Sequence, residues 1–195
     1  MISLIFDTET TSKCDFKAPH TSPSQPDIIQ IAWVLGDENN IIEEFQTIVN
    51  PSDANPNWRL DPGAEAVHGI SRETILAVGY PTKMIMQKFS AALHQAEVLV
   101  CHNTQFDMKL VATALHRVNG LKTLERLQNS NKYCTMLKST RLCNLPGPYG
   151  PKWPKLQELY PFLFNGEQFE GAHEALSDVR ATKRCYHEMV RRGIL

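Results

Sequence analysis

The stretch ISLIFDTETTS, residues 2–12, decides the fold, because an apolar run leads there into two acidic residues spaced two apart. Residues 2–6 are typical of a short buried β-strand. Side chains two apart in a strand point to the same face, so Asp7 and Glu9 would lie side by side. Since burying an unpaired carboxylate is costly, the pattern indicates a bound cation. The alternative is an acidic turn facing water, with Thr8 and the following threonines supplying turn chemistry.

Length and composition indicate one globular domain over residues 1–195, since 42% of the residues are hydrophobic. No apolar run reaches the roughly 18 residues of a membrane span, and Met1 leads directly into the first strand, which predicts a cytoplasmic protein without membrane attachment. The net charge of −1 argues against a protein that coats nucleic acid non-specifically. The five cysteines form no C-x-x-C pair, which argues against a disulfide framework or a zinc ribbon.

The remaining pattern alternates strands and helices. Residues 27–36 and 40–50 are rich in β-branched residues and are separated by a Gly-Asp-Glu-Asn-Asn turn, which predicts a hairpin and three antiparallel strands at the start of the chain. Residues 98–102 form a predicted fourth strand. Helices are predicted over residues 71–79, 82–96, 104–119, 134–142, 156–163 and 174–192. This order implies a mixed sheet with helices packed on it.

A second acidic position lies in VLVCHNTQFDMKL, residues 98–110, where a strand ends and a helix begins. We expect Thr104 to be the N-cap of this helix. Asp107 then falls in the first helical turn, where the helix dipole favours a carboxylate. A simple capping role for Asp107 is the alternative at this point.

A third stretch, GAHEALSDVRATKRCY at residues 171–186, contains His173 and Asp178. Five residues of α-helix rotate by about 140°, so the two side chains cannot share a face if both are helical. His173 is therefore predicted to precede the helix, from where it can converge on the same point as Asp178. The alternatives are a surface or capping histidine for His173 and a solvated helical charge for Asp178.

Together, these motifs resemble the DEDDh branch of the DnaQ-like 3′→5′ exonucleases. The resemblance rests on DTETT (residues 7–11), HNTQFD (residues 102–107) and HEALSD (residues 173–178), which occur in the order and approximate spacing of the family. VHGIS (residues 67–71) and KLQELYPFLF (residues 155–164) resemble further family segments, so the likeness covers nearly the whole chain. It implies an α/β ribonuclease H-like mixed sheet, with the first three strands antiparallel and helices on both faces.

The resemblance also implies an active site. Its metal ligands would be Asp7, Glu9, Asp107 and Asp178, meeting at one edge of the sheet to bind two Mg²⁺ or Mn²⁺ ions. Hard carboxylate oxygens suit these ions, and the absence of paired Cys or His ligands argues against zinc. His173 would be the general base that takes a proton from the attacking water, since imidazole titrates near neutral pH.

Three further residues are candidate substrate-binding groups. Thr10 occupies the position where the family holds the terminal nucleotide, although a turn role is the alternative. His68 could approach the same nucleotide or simply end a helix. Phe106 could stack on a base or belong to the core of an amphipathic helix.

The function implied is a metal-dependent 3′→5′ exonuclease that releases nucleoside 5′-monophosphates from single-stranded or frayed DNA ends. An exoribonuclease of the same branch and a non-catalytic nucleic-acid-binding module are the alternatives. DNA is favoured over RNA as the partner carrying the free 3′ end. A polymerase partner is compatible with the resemblance, although the chain ends three residues after Arg192 without the tail that tethers the bacterial proofreading subunit.

Overall fold

A six-stranded mixed sheet forms the centre of the computed structural model, which describes residues 1–171 and 174–194. The strands are β1 Ser3–Thr10, β2 Ile28–Gly36, β3 Ile41–Asn50, β4 Tyr80–Pro81, β5 Val98–Cys101 and β6 Asn131–Cys134. Their order across the sheet is β4-β3-β2-β1-β5-β6. The first three strands are antiparallel neighbours, whereas β5, β6 and β4 join the sheet in parallel. The predicted mixed sheet is confirmed.

Helices and one 3-10 turn, Pro51–Asp53, connect the strands. The helices are α1 Pro62–His68, α2 Arg72–Val78, α3 Thr82–Gln95, α4 Thr104–Arg117, α5 Leu121–Asn129, α6 Thr135–Cys143, α7 Leu156–Leu163 and α8 Ala175–Arg191. Within the described residues, none of these helices combines the length and the apolar character that crossing a bilayer requires.

The alternating side chains of β1 supply two separate apolar cores. Leu4 and Phe6 point toward the core shared with α3, α4 and α5, where Phe6 meets Phe89 edge to face at a ring-centroid distance of 5.2 Å. Ile5 points to the opposite face, into the core formed with α7 and α8. Helices thus cover both faces of the sheet, as the resemblance implied.

Some elements escape the sequence prediction. Pro62–His68 forms a helix because the Asp61 carboxylate accepts hydrogen bonds from the backbone N–H groups of Gly63 and Ala64. Leu121–Asn129 is also helical, and Asn131–Cys134 adds an edge strand.

The predicted N-cap of α4 is wrong. Asn103 is the N-cap, with a left-handed φ of 79°, and Thr104 is the first helical residue. The Thr104 hydroxyl instead donates to the backbone carbonyls of Cys101 and Tyr133, so it joins β5 and β6 to the start of the helix.

The different lengths of β1 and β5 create the edge on which the acidic residues lie. Strand β5 pairs with β1 only over Ser3–Ile5, and the chain then turns into α4. Strand β1 continues along β2, with Asp7 opposite Ala32 and Glu9 opposite Gln30. The end of β1 is therefore anchored on one side and open toward the start of α4 on the other.

Candidate active site

Strand β1 positions Asp7 and Glu9 on the face that packs against α8. The strand extends to Thr10, so both acids and the intervening Thr8 are strand residues. The alternative of an acidic turn facing water is therefore wrong. Hydrogen bonds to β2 fix the backbone under both carboxylates, which gives the pair the rigid support that a binding site needs.

Burial and mutual repulsion both act on these carboxylates. Burial is the larger cause that raises the pKa of Asp7 well above its ordinary value, and the charges of Asp107, Asp178 and Glu9 raise it further. Burial and the charge of Asp178 also raise the pKa of Glu9 to about 7. The four predicted metal ligands are therefore close enough to repel one another.

Asp107 reaches the cluster from the first turn of α4 and is fully buried. The Thr8 hydroxyl donates a 2.8 Å hydrogen bond to Asp107 Oδ1. Burial raises the pKa of Asp107 to about 8, while this hydrogen bond opposes the rise. Sequence reasoning missed the role of Thr8, although its position between two acids of a strand already placed it on the opposite face.

Helix α8 brings Asp178 to the cluster, and two glutamines of the sheet hold the start of that helix. The backbone N–H of Leu176 donates to Gln46 Oε1 at 2.9 Å, and that of Ala175 donates to Gln30 Oε1 at 3.4 Å. These bonds replace a side-chain N-cap, which Glu174 does not provide. Sequence reasoning also missed these positioning residues, although Gln30 stands out as a polar residue in the apolar run IIQIAWVL.

His173, the predicted general base, lies outside the described residues. Its assignment therefore stays a prediction.

The three candidate substrate-binding residues line one cleft of about 690 Å³, which Glu9 also lines. Its lining consists of Glu9, Thr10, Ser12, Lys13, Asp61, Gly63, Ala64, Val67, His68 and Phe106. Residues from β1, the following loop, α1 and α4 thus converge on a space next to the acidic cluster.

Each of the three also has a structural contact. The Thr10 hydroxyl donates to the carbonyl of Ser12 at 2.9 Å, which fits the turn role that we considered. His68 ends α1 and its Nδ1 accepts from the Ile70 N–H at 3.0 Å. Burial lowers the pKa of His68, which favours the neutral ring. Phe106 packs against the core formed with α3 and α4, and its partly buried ring also faces the cleft.

The chemistry of the cluster fits divalent cations. Its donors are carboxylate oxygens, and its uncompensated repulsion would be relieved by positive charge. Among residues 1–171 and 174–194, no three His, Cys, Asp or Glu side chains are arranged to enclose an ion by themselves. Mg²⁺ in phosphoryl-transfer sites usually takes one or two carboxylates and completes its shell with water and substrate phosphate, so a closed protein cage is not required.

The chain superposes on E. coli exonuclease I bound to a dA16 oligonucleotide with a TM-score of 0.76 at 20% identity, which covers 98% of this chain and 41% of that chain. The zinc-bound form of the E. coli exonuclease I complex with single-stranded DNA gives a TM-score of 0.74 at 22% identity, covering 98% and 40%. At these identities the likeness shows a shared fold. The chain spans about two fifths of the length of these structures.

The chain also matches a known family by sequence. No curated protein matches the chain. A family model described as an exonuclease, RNase_T, matches residues 4–186 and includes all three motifs. This match confirms the resemblance to DnaQ-like exonucleases that the motifs indicated, and the chain belongs to the RNase_T exonuclease family.

Proposed function

We propose that this protein is a metal-dependent 3′→5′ exonuclease that removes nucleoside 5′-monophosphates from single-stranded or frayed DNA ends. The observation that carries the proposal is the convergence of four mutually repelling carboxylates beside a cleft, in a member of an exonuclease family. A protein that only bound nucleic acid would gain nothing from buried carboxylates, because they repel phosphate.

Residues of the cluster would bind two Mg²⁺ or Mn²⁺ ions. Asp7 would contribute to both sites, Glu9 and Asp178 to the site nearer the attacking water, and Asp107 to the other site. When bound, such ions supply charge stabilisation for the attacking and leaving oxygens of the phosphodiester. Asp7 and Glu9 hold their positions through the β1–β2 pairing, and Thr8 fixes one oxygen of Asp107, so the donor set is preorganised by strand geometry.

His173 would accept the proton of the attacking water. It precedes α8, the helix of Asp178, so the proposed base and one proposed ligand are neighbours in sequence. A neutral imidazole is required for this role, and its ordinary pKa of about 6.5 supplies that form at neutral pH.

The cleft next to Glu9 would hold the terminal nucleoside. Thr10 and His68 offer polar groups there, and Phe106 offers an aromatic ring for a base. Because Glu9 of the acidic cluster lines the cleft, a nucleoside seated there would have its adjoining phosphate near the carboxylates. This arrangement supports removal of one nucleotide at a time from a chain end.

Single-stranded DNA is the proposed partner because E. coli exonuclease I, which shares the fold, is described in complex with such oligonucleotides. Residues 1–195 would act as a single cytoplasmic domain. Association with a polymerase is a further proposal, which co-purification with a polymerase would test.

The test is a matched pair of 5′-labelled DNA and RNA oligomers of the same sequence. Purified protein is incubated with each in Mg²⁺, in Mn²⁺ and in excess chelator. Shortening of DNA that depends on the metal supports the proposal. Faster shortening of RNA would identify an exoribonuclease, and full activity in chelator would exclude the metal-dependent reaction.

A further inference from the structure

The loop of residues 11–27 presents an aromatic ring, that of Phe16, beside the cleft. The proposed reaction does not use this ring. Phe16 is 48% exposed, and its ring lies 6.5 Å from that of Phe106, centroid to centroid. Phe106 in turn lines the cleft and precedes Asp107. A second ring is thus placed next to the cleft wall and close to the start of α4.

The loop holds Phe16 in place although it contains no helix or strand. The buried Gln25 side chain donates through Nε2 to the carbonyls of Asp15, Ala18 and Pro19, at 2.7, 3.1 and 3.3 Å. Lys109 of α4 donates from Nζ to the Asp15 carbonyl at 2.7 Å. These bonds fix the backbone on either side of Phe16 when the protein folds. Binding of a base to the ring therefore does not require the loop to be ordered again.

Three lysines lie near the ring or the cleft, and the neighbouring Asp15 carboxylate accepts hydrogen bonds from the backbone N–H groups of Lys17 and Ala18. Lys109 Nζ lies 5.7 Å from the centroid of the Phe16 ring and keeps donor capacity beyond its bond to Asp15. Lys17 is exposed next to Phe16 in sequence, and Lys13 lines the cleft. Aromatic faces interleaved with lysines are the combination with which proteins bind single-stranded nucleic acid.

We propose that Phe16 stacks on the base of the penultimate nucleotide of a single-stranded substrate, while the terminal nucleoside occupies the cleft. This inference rests on the proposed function and deepens it. A strand that leaves the cleft along the exposed side of Phe106 would reach Phe16, which packs beside Phe106 and Lys109 at the start of α4. The nucleotide on the 5′ side of the cleaved phosphate therefore meets the Phe16 ring, with its phosphate near the lysines.

The test compares substrates with and without that nucleotide. The p-nitrophenyl ester of thymidine 5′-monophosphate presents the terminal nucleoside alone, whereas a short DNA oligomer presents both. Phe16→Ala is expected to raise KM for the oligomer by about fivefold to a hundredfold, the range that loss of one base–aromatic stack produces. KM and kcat for the ester are expected to stay unchanged. Phe16→Trp should restore oligomer binding.

An oligomer that is abasic at the penultimate position provides a second readout. In the wild type, KM should be higher for the abasic oligomer than for the intact one. In Phe16→Ala the two KM values should differ little, because the stacking contact needs both the ring and the base. Gln25→Leu should reproduce the KM change of Phe16→Ala by releasing the loop. The matched control is Phe162→Ala, since Phe162 is 44% exposed and lies on α7.

The outcomes separate this inference from the proposed function. If the wild type cleaves both substrates and Phe16→Ala leaves KM for the oligomer unchanged, the stacking role is refuted while the exonuclease function stands. An equal KM change for the ester would likewise refute it. If the wild type cleaves neither substrate, the proposed function itself fails.

Discussion

Asp107 should control how the stability of the metal-free protein depends on pH. Its carboxyl group is fully buried, and its pKa of about 8 in the folded protein contrasts with an ordinary value of 3.8. Between these two values the folded protein holds a proton at Asp107 that the unfolded chain has lost. Stability therefore falls as pH rises through this window. Asp107→Asn removes the titrating group but keeps an oxygen that can accept from the Thr8 hydroxyl.

The magnitude follows from the number of protons. One extra bound proton changes the free energy of unfolding by about 1.4 kcal/mol per pH unit, so the interval from pH 5 to 7 corresponds to about 3 kcal/mol. Asp7 and Glu9 also have raised pKa values and contribute with the same sign in both proteins. Removing the Asp107 charge also relieves Asp7, and the resulting fall of the Asp7 pKa adds to the difference between the two proteins with the same sign.

The assay is thermal or urea unfolding of wild type and Asp107→Asn in excess chelator at pH 5, 6 and 7. The Tm of the variant relative to that of the wild type should increase as pH rises, by about 5 to 10 °C for a chain of this size. Mg²⁺ should then stabilise the wild type at pH 7 more than the variant. Parallel pH profiles for the two proteins would refute the reasoning, because Asp107 would then titrate alike in the folded and unfolded states.

Three further predictions concern the reaction. Asp7→Ala should keep the fold and lower the cleavage rate at least about a thousandfold, equivalent to about 4 kcal/mol of transition-state stabilisation; near-normal turnover by a folded variant would contradict its assignment as a shared ligand. A 5′-labelled oligomer should shorten into a ladder, whereas immediate release of the labelled mononucleotide would show the opposite polarity. His173→Asn should lower single-turnover cleavage at saturating metal by about 10² to 10⁴, and the wild-type rate should fall as pH drops through the imidazole pKa. Asp178→Asn is its control and should weaken metal binding as well. A His173→Asn rate within about threefold of wild type from pH 5.5 to 8.5 would refute the base role, and recovery at higher metal would make His173 a ligand or ligand support.

The sequence predicted the sheet and the carboxylates because both depend on local patterns. Alternation along residues 2–12 placed Asp7 and Glu9 on one face, and the structure has them there on β1. The hairpin of β2 and β3 was equally clear, since its apolar runs flank a turn with glycine and asparagine. Because the motifs occur in the order of the family, the sequence also grouped Asp7 with Asp178, which lies about 170 residues away.

The rest depends on contacts that no local pattern specifies. Helix α1 begins with Pro62 and Gly63, which by propensity alone indicate a turn, and it forms because Asp61 caps it. Asn103 adopts the left-handed conformation at the end of β5, which shifts the cap of α4 by one residue. The bond from Thr8 to Asp107 spans 99 residues, and the long-range position of an acceptor cannot be read from one segment.

The two glutamines that hold the start of α8 fix the position of Asp178 independently of the segment that precedes the helix. Gln30 and Gln46 belong to β2 and β3, so the helix takes its register from the hairpin of the sheet. The proposed ligand Asp178 is therefore expected to stay in place when the length of the segment between α7 and α8 changes. That segment also contains His173, so a change in its length is expected to alter the proposed proton transfer while metal binding persists.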